Sequence, residues 1–387
     1  MIYDALVVGA GPAGLTFARF LAAKGFRVAV VERERELGVK PCAEGVSSAT
    51  LSTAEVPRSE VGRFTVREVR RAYVFAPNGR YVPLESKGPA MGYVLDKRAF
   101  LRVLAEMAAS EGAEVRVLEP AREFVRTGEG FRVRTRTMEV ECRLLVGADG
   151  CTSTVASSLG LGGPRKIIPT FQYVMTNVRL EDRDATYFYL GRSVAPLGYA
   201  WIFPKDGTTA NVGIGVQGAN PREYLDAFIK RMGEKFSGSS IVGMGGAPLH
   251  IGGLLEKVVD DNVILIGEAA GQVIPLTGGG IHSSIAGGKV AASVAAGALE
   301  SGDLSGRALS KYIELYEEPW GRRIRNSGRA LRVFERVSDE DLNQLAEVID
   351  GQDVIDLANG LDPIRVARKL LRHPVLGAKV AAKLLRG

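Results

Sequence analysis

Cysteine is scarce: Cys42, Cys142 and Cys151 are the whole complement in 387 residues, and no two of them stand in a Cys-x-x-Cys spacing. That excludes a disulfide-stapled scaffold and fits a reducing compartment. No run of ~18 apolar residues occurs, so the pattern contains no transmembrane helix. The chain runs directly into Ile2-Tyr3-Asp4-Ala5-Leu6-Val7-Val8 with no basic stretch and no cleavage site, and the expectation is a cytoplasmic protein without a secretory signal. Acidic residues run out after Asp362, beyond which stand Arg365, Arg368, Lys369, Arg372, Lys379, Lys383 and Arg386. Setting those aside brings the formal net charge of +6 to near neutrality for residues 1–362. A nucleic-acid-binding body is thereby excluded, and an anionic partner belongs to the terminal segment. With 46% apolar and 24% charged residues the chain is neither disordered nor collagen-like. Its length suits two to three domains of ~150 residues, and it shows no repeat or long linker.

Glycine is what the chain has in excess, 47 residues in tight clusters. Residues 2–8 read as a buried parallel strand. Gly9-Ala10-Gly11-Pro12-Ala13-Gly14 follows at once. Leu15, Phe17, Ala18, Phe20, Leu21 and Ala22 then recur at helical spacing up to Gly25, and Arg27-Val28-Ala29-Val30-Val31 predicts a second strand ending in Glu32. Strand, GxGxxG, helix, strand and acid make a dinucleotide-binding pattern. Gly9 permits the tight turn, Gly11 lets backbone approach a pyrophosphate, and Gly14 permits close helix–strand packing. The helix N-terminus favours negative charge, and Glu32 can accept ribose hydroxyls. The pattern leaves the dinucleotide open. Two more predicted strands run into glycine turns, Leu144-Leu145-Val146-Gly147-Ala148-Asp149-Gly150 and Val263-Ile264-Leu265-Ile266-Gly267-Glu268-Ala269-Ala270-Gly271. Pro275 and Gly278-Gly279-Gly280-Ile281 then open a small-residue helix to about Leu299. Such a cluster is an anion site or a place where a flat ring meets bare backbone.

The three segments, in this order, resemble the FAD-dependent flavoproteins of the aromatic-hydroxylase type. Residues 9–14 with Glu32 match the first FAD fingerprint, and residues 147–150 match the mid-chain GADG motif. Residues 267–271 match the GDAAG motif, whose acid binds the ribityl chain, with Glu268 standing where Asp is usual. Asp96-Lys97-Arg98-Ala99-Phe100 matches a segment that brings Arg98 near FAD. The resemblance implies cofactor contacts from Gly9, Gly11, Pro12, Ala13, Gly14, Glu32, Arg33, Arg98, Ala148, Asp149, Gly150, Gly267, Glu268, Pro275, Gly278, Gly279, Gly280 and Ile281, with 278–280 against the flavin pyrimidine.

Two segments narrow the family. Val39-Lys40-Pro41-Cys42-Ala43-Glu44-Gly45-Val46-Ser47 resembles the Cys-containing loop beside the flavin in geranylgeranyl reductases, which adds Pro41, Cys42 and Ala43 to the cofactor-binding set. Pro196-Leu197-Gly198-Tyr199-Ala200-Trp201-Ile202-Phe203-Pro204, followed by Gly213-Ile214-Gly215, resembles their YxWxFP…GxG signature. The resemblance covers roughly residues 1–300 and favours members that saturate the isoprenoid chains of archaeal ether lipids. It implies hydride transfer from reduced FAD to isolated C=C bonds, an isoprenoid lipid substrate, an external electron donor (NADPH, ferredoxin or deazaflavin) and no metal. Alternatives are a menaquinone side-chain reductase and an FAD-dependent monooxygenase or halogenase of an apolar substrate. No cysteine follows Cys151, so redox gating through a disulfide from Cys42 to the later catalytic region does not carry over.

Cys42, Tyr199, Trp201 and Phe203 are the catalytic candidates. Alternation along a strand puts the three aromatics on one face. Their π-surfaces suit a greasy chain and stabilise developing positive charge. The Cys42 thiol is a candidate proton donor or a group that tunes the site. Phe171, Tyr173, Tyr187, Phe188 and Tyr189, in neighbouring strand-like runs, either complete an apolar tunnel or fill the sheet's core. His282, at a helix start, reads as structural more than as an acid. Arg67, Arg70, Arg71 and Arg80, around one predicted hairpin, are headgroup candidates or a solvated sheet face.

The expected fold class is α/β: a Rossmann-type FAD-binding domain (1–60, 90–165 and 259–300) with an inserted antiparallel β-sheet catalytic domain (61–89 and 166–258) and a C-terminal helical region (301–387). A hairpin over 131–140 and one helix over 221–236 complete it. In 364–387, apolar positions alternate with the seven basic residues around a break at His373-Pro374. That segment reads as packing onto the body or as a peripheral contact with an anionic membrane surface on its inner face.

Overall fold

The strand Ile2–Val8 takes the middle of a parallel sheet because its apolar side chains are covered on both faces; Ala5, Leu6 and Val7 are fully buried. The computed structural model describes residues 2–86, 88–362, 365, 366, 368, 369 and 377. The first sheet runs Val259–Asp260, Val263–Leu265, Glu139–Gly147, Ile2–Val8, Val28–Val31, Glu114–Arg116, parallel from the second strand onward. The expected hairpin is present: Phe131–Arg134 pairs antiparallel with the start of Glu139–Gly147, and Glu123–Arg126 extends it. Helix Pro12–Ala22 begins with proline, whose fixed φ suits a first turn. Helix Ile281–Ser301 packs on it closely, since a Cβ on Gly288 would overlap the Ala13 carbonyl oxygen.

The second sheet has seven strands in the order Ser240–His250, Ile167–Thr176, Ala210–Gly215, Tyr199–Pro204, Ala185–Leu190, Arg71–Phe75, Tyr81–Glu85. All its pairs are antiparallel except that of Ala185–Leu190 with Arg71–Phe75. Residues 61–89 divide between two sheets: Thr65–Val69 pairs with Gly92–Leu95, which pairs in turn with Gly45–Ser47. The single helix expected over 221–236 is two, Pro221–Arg231 and Gly233–Phe236, parted at Met232, whose backbone (φ −87°, ψ 18°) leaves the helical region.

Beyond residue 301 the chain is helical through Lys311–Tyr316, Arg322–Phe334, Asp339–Val348 and Gly351–Asn359. Ser338 and Asp350 open the last two with reciprocal capping boxes. Arg365 and Lys369 turn back onto this last helix, 3.2 and 2.6 Å from the Asp353 carboxylate. The remainder of the membrane-binding expectation for 364–387 lies outside the described residues. Among the described residues no helix is long and apolar enough to cross a membrane.

Candidate active site

The three glycine turns meet around the start of helix Pro12–Ala22. Gly9 adopts φ +107°, and a Cβ there would lie 2.5 Å from the Ala148 carbonyl oxygen; one on Gly14 would overlap the Gly9 carbonyl. Gly267, at φ +64°, packs 2.8 Å from Ala13 by the same measure. Gly11 differs, with nothing within 4 Å of its Cβ position, and no side chain caps the helix behind it. An uncapped first turn opening onto free space at bare glycine suits a pyrophosphate. Glu32 is pinned beside it: one carboxylate oxygen accepts from Ala10 N–H and the other from Glu34 N–H, both at 2.9 Å. The cradle and its acid fit FAD. Gly278, at φ +66°, closes against Leu249, and Pro275 packs near Gly253 and Gly328. Gly279 donates to Thr277 Oγ1, and Gly280 precedes Ile281 without a side-chain cap.

Four charged residues of the predicted cofactor set make side-chain contacts within the chain. Asp149 is a helix cap: its carboxylate accepts from Ser153 Oγ (2.5 Å), Thr154 N–H (2.6 Å) and Val155 N–H (3.1 Å). Glu268, with its extra methylene, forms an ion pair with Lys40 (2.6 Å) and accepts from His250 N–H (3.1 Å). Arg98 reaches the exposed Glu36 at 2.9 Å, and Arg33 pairs with its neighbour Glu34 at 3.2 Å. The backbone of Gly150 adopts φ +79° next to Glu268.

The aromatic wall follows from register. Trp201 stands opposite Gly213 on one neighbour and Phe188 on the other, so all three share a face with Tyr199 and Phe203. The Trp201 ring lies so close on Gly213 that a Cβ there would overlap it, and its Nε1 donates to Gln172 at 3.3 Å. Phe203 lies on Gly45, 2.5 Å from that residue's Cβ position. Phe188 meets Tyr199 and Phe203 edge-on at 5.8 and 5.3 Å. The Tyr199 hydroxyl donates to the Thr277 carbonyl, joining the wall to the 278–280 loop. Burial, and secondarily the Cys42 sulfur, pushes the Tyr199 hydroxyl pKa well up, so it stays protonated.

The Cys42 loop lies across this wall. Pro41 rests on Gly245, and Ala43 packs with Trp201 and Phe203. Glu44 anchors it with a backbone at φ +68°, a left-handed conformation that costs roughly 1–2 kcal/mol outside glycine. Its N–H donates to Cys42 Sγ at 3.3 Å. Its carboxylate accepts from Lys205 Nζ (2.6 Å), Asn211 Nδ2 (2.8 Å) and Lys97 N–H (3.1 Å). Asn211 also donates to the Ala43 carbonyl at 3.2 Å. Sequence reasoning missed Glu44, Asn211 and Gln172; the available signal for Asn211 was a single polar residue in the otherwise apolar strand Ala210–Gly215. Cys142 is buried in the first sheet, where desolvation pushes its thiol up to about 12. Burial, and secondarily the Glu268 charge, raises that of Cys151.

The tunnel expectation is corrected. Of the five added aromatics only Phe188 shares the reactive face. Tyr173, Tyr187 and Tyr189 belong to the core on the side of helix Pro221–Arg231, with Phe171 packed against them, because their strand positions have the opposite parity. The four arginines do not converge: Arg67 donates to the carbonyls of Lys205 and Asp206, Arg70 meets Glu68, Arg71 forks onto Asp182, and Arg80 meets Glu347. His282 is held by Ser47 and Thr53 hydroxyls and meets the Trp320 ring edge-on at 4.7 Å. Burial, and secondarily Arg323, lowers its pKa to about 4, so it is neutral and structural.

A family model of the geranylgeranyl reductase catalytic domain matches residues 166–248, and an FAD binding domain model matches residues 2–195. Digeranylgeranylglycerophospholipid reductase 2 of Methanopyrus kandleri is 36% identical over 100% of both chains. The digeranylgeranylglycerophospholipid reductase of Methanosarcina acetivorans is 37% identical, over 99% of this chain and 98% of its own. Among solved structures, a geranylgeranyl bacteriochlorophyll reductase-like protein of Thermoplasma acidophilum matches with a TM-score of 0.88 at 30% identity, covering 97% of this chain and 99% of the other. A cradle built for FAD, an aromatic wall facing it and identity of this extent along the full length lead to one conclusion: the chain belongs to the FAD-dependent digeranylgeranylglycerophospholipid reductase family.

Proposed function

We propose that this protein saturates isolated C=C bonds in the geranylgeranyl chains of membrane ether lipids. The observation that carries the reading is the wall of Tyr199, Trp201, Phe203 and Phe188, fixed by register and tied through Tyr199 to the glycine loop of the cofactor cradle. Gly9, Gly11, Ala13 and Gly14 would hold the FAD pyrophosphate at the helix start and Glu32 the ribose, and residues 278–280 would contribute to the flavin site. Bound FAD in its reduced form supplies the hydride. An isolated alkene has no carbonyl to polarise, so the chain's own groups carry the rest. The aromatic faces stabilise the carbon that becomes electron-deficient, and their apolar bulk keeps water away. Cys42 Sγ holds the proton for the other alkene carbon. An external donor (NADPH, a ferredoxin or a reduced deazaflavin) would be needed to reduce the bound cofactor. The basic segment 364–387 meets an anionic membrane surface, where the substrate resides.

The test is incubation of dithionite-reduced, FAD-loaded protein with a digeranylgeranyl glycerophospholipid, followed by mass spectrometry of the lipid. Gains of hydrogen in pairs are expected. An unchanged lipid mass alongside a fully reduced flavin overturns the reading.

A further inference from the structure

We propose that Glu44 is a positioning residue for Cys42, holding the thiol against the aromatic wall; the proposal deepens the reductase reading and rests on it. Cys42 itself is tied only weakly. It lies in a loop, half-buried, and its sulfur accepts one bond, from Glu44 N–H at 3.3 Å. That N–H reaches the sulfur from a residue in the left-handed region, at φ +68°. A side chain rarely stays in that conformation unless its surroundings over-determine it. Here they do, from three directions. Lys205, just past the end of strand Tyr199–Pro204, and Asn211, on the adjacent strand Ala210–Gly215, both bind one carboxylate oxygen of Glu44, at 2.6 and 2.8 Å. The other oxygen accepts from Lys97 N–H at 3.1 Å, in the first turn of helix Lys97–Ser110. The Glu44 carbonyl accepts from Leu95 N–H at 2.9 Å.

Glu44 is therefore the point at which the sheet bearing Trp201 and Phe203 and the helix that follows Leu95 grip the same loop. Asn211 adds a second tie one residue nearer the thiol, at the Ala43 carbonyl (3.2 Å), and is fully buried. An ion pair serving stability alone would have no cause to spend its backbone on a left-handed turn aimed at a sulfur. Positioning of the thiol accounts for both halves of the residue.

The experiment compares Glu44→Gln, Glu44→Gly and Lys205→Met with the parent in FAD-loaded protein. The readouts are the iodoacetamide alkylation rate of Cys42, followed at the peptide level, FAD affinity by flavin fluorescence, and kcat and KM for lipid reduction. Glu44→Gly keeps the backbone conformation open and removes every carboxylate tie. Expected are an unchanged FAD affinity, a Cys42 alkylation rate altered severalfold in all three variants, and kcat lowered about tenfold with KM little changed, the scale on which a slightly displaced reacting group loses rate. Unaltered alkylation and kcat in Glu44→Gln and Lys205→Met, with only a lower Tm, would make the cluster structural and overturn the proposal. The alkylation arm needs no lipid turnover. A parent protein that reduces no lipid sinks the reductase reading, whereas an alkylation rate that ignores Glu44 sinks the positioning role.

Discussion

On one face of the seven-stranded sheet the rings of Trp201 and Phe203 lie on bare glycine, Gly213 and Gly45, under a loop held by Glu44 and Asn211. On the other face Tyr173, Tyr187 and Tyr189 stand among Ile202, Val212 and Ile214 beneath helix Pro221–Arg231. Both faces are rich in aromatics. The helix face anchors two of its phenols to acidic residues, Tyr173 to the Asp226 carboxylate at 2.7 Å and Tyr187 to the Asp182 carbonyl at 2.6 Å. It is covered by helix Pro221–Arg231, which buries Leu225 and Phe228 against it. The face of Trp201 and Phe203 packs on Val69, Val94 and Ala43 and lies under a loop held by polar ties, which release more readily than apolar packing releases a helix. The rings differ in their partners: Trp201 and Phe203 lie on Gly213 and Gly45 beside Val69 and Val94, the tyrosines among Ile202, Val212 and Ile214 beneath a helix.

Gly213→Ala strikes at that difference hardest. The added methyl overlaps the Trp201 ring and displaces it, at a cost of about 1–3 kcal/mol, with turnover falling on the order of 100-fold. FAD affinity should hold, since the cradle lies on other elements; wild-type turnover in this variant would break the contrast.

Arg71→Met probes the rim of the helix face. Arg71 forks onto Asp182, and losing that bond should lower the melting temperature at neutral pH. The Arg71 bond first, then that of Tyr73, holds the Asp182 carboxyl below its ordinary range. Its contribution is thus present above the unfolded carboxylate range near ~4 and is lost as pH falls through the lowered folded value. Parent and variant melting temperatures should differ at neutral pH and converge in acid. A gap that survives at low pH would assign the effect to packing.

Tyr187→Phe is the mildest. It removes the hydroxyl that donates to the Asp182 carbonyl and accepts from Asp182 N–H, an expected loss of about 1 kcal/mol with lipid reduction unchanged. A fall in turnover here would show that the two faces do not act separately.

Much of the cradle was readable beforehand, because a glycine turn between a strand and a helix is local: Gly9, Gly11, Gly14 and Glu32 stand where their spacing put them. The GADG and GDAAG turns were found for the same reason, but the use of their acids was not. Asp149 caps the helix that follows, and Glu268 pairs with Lys40, a residue 228 positions away. Strand parity put Tyr199, Trp201 and Phe203 on one side. The side taken by Tyr173, Tyr187 and Tyr189 depended on pairing between strands, which no single run reveals. The break at Met232 was hidden because helical periodicity continues across it.

The amino-acid sequence by itself determined the nucleotide cradle, the alternation of the aromatic strand and the presence of a cysteine loop, since each rests on backbone freedom or period within a few residues. Tertiary structure alone decided which rings share the face of Trp201, which acids make caps and ion pairs, and that Glu44 holds the Cys42 loop from three directions. Those outcomes require residues far apart in the chain to meet, and only the packing of sheet on helix brings them within hydrogen-bonding distance.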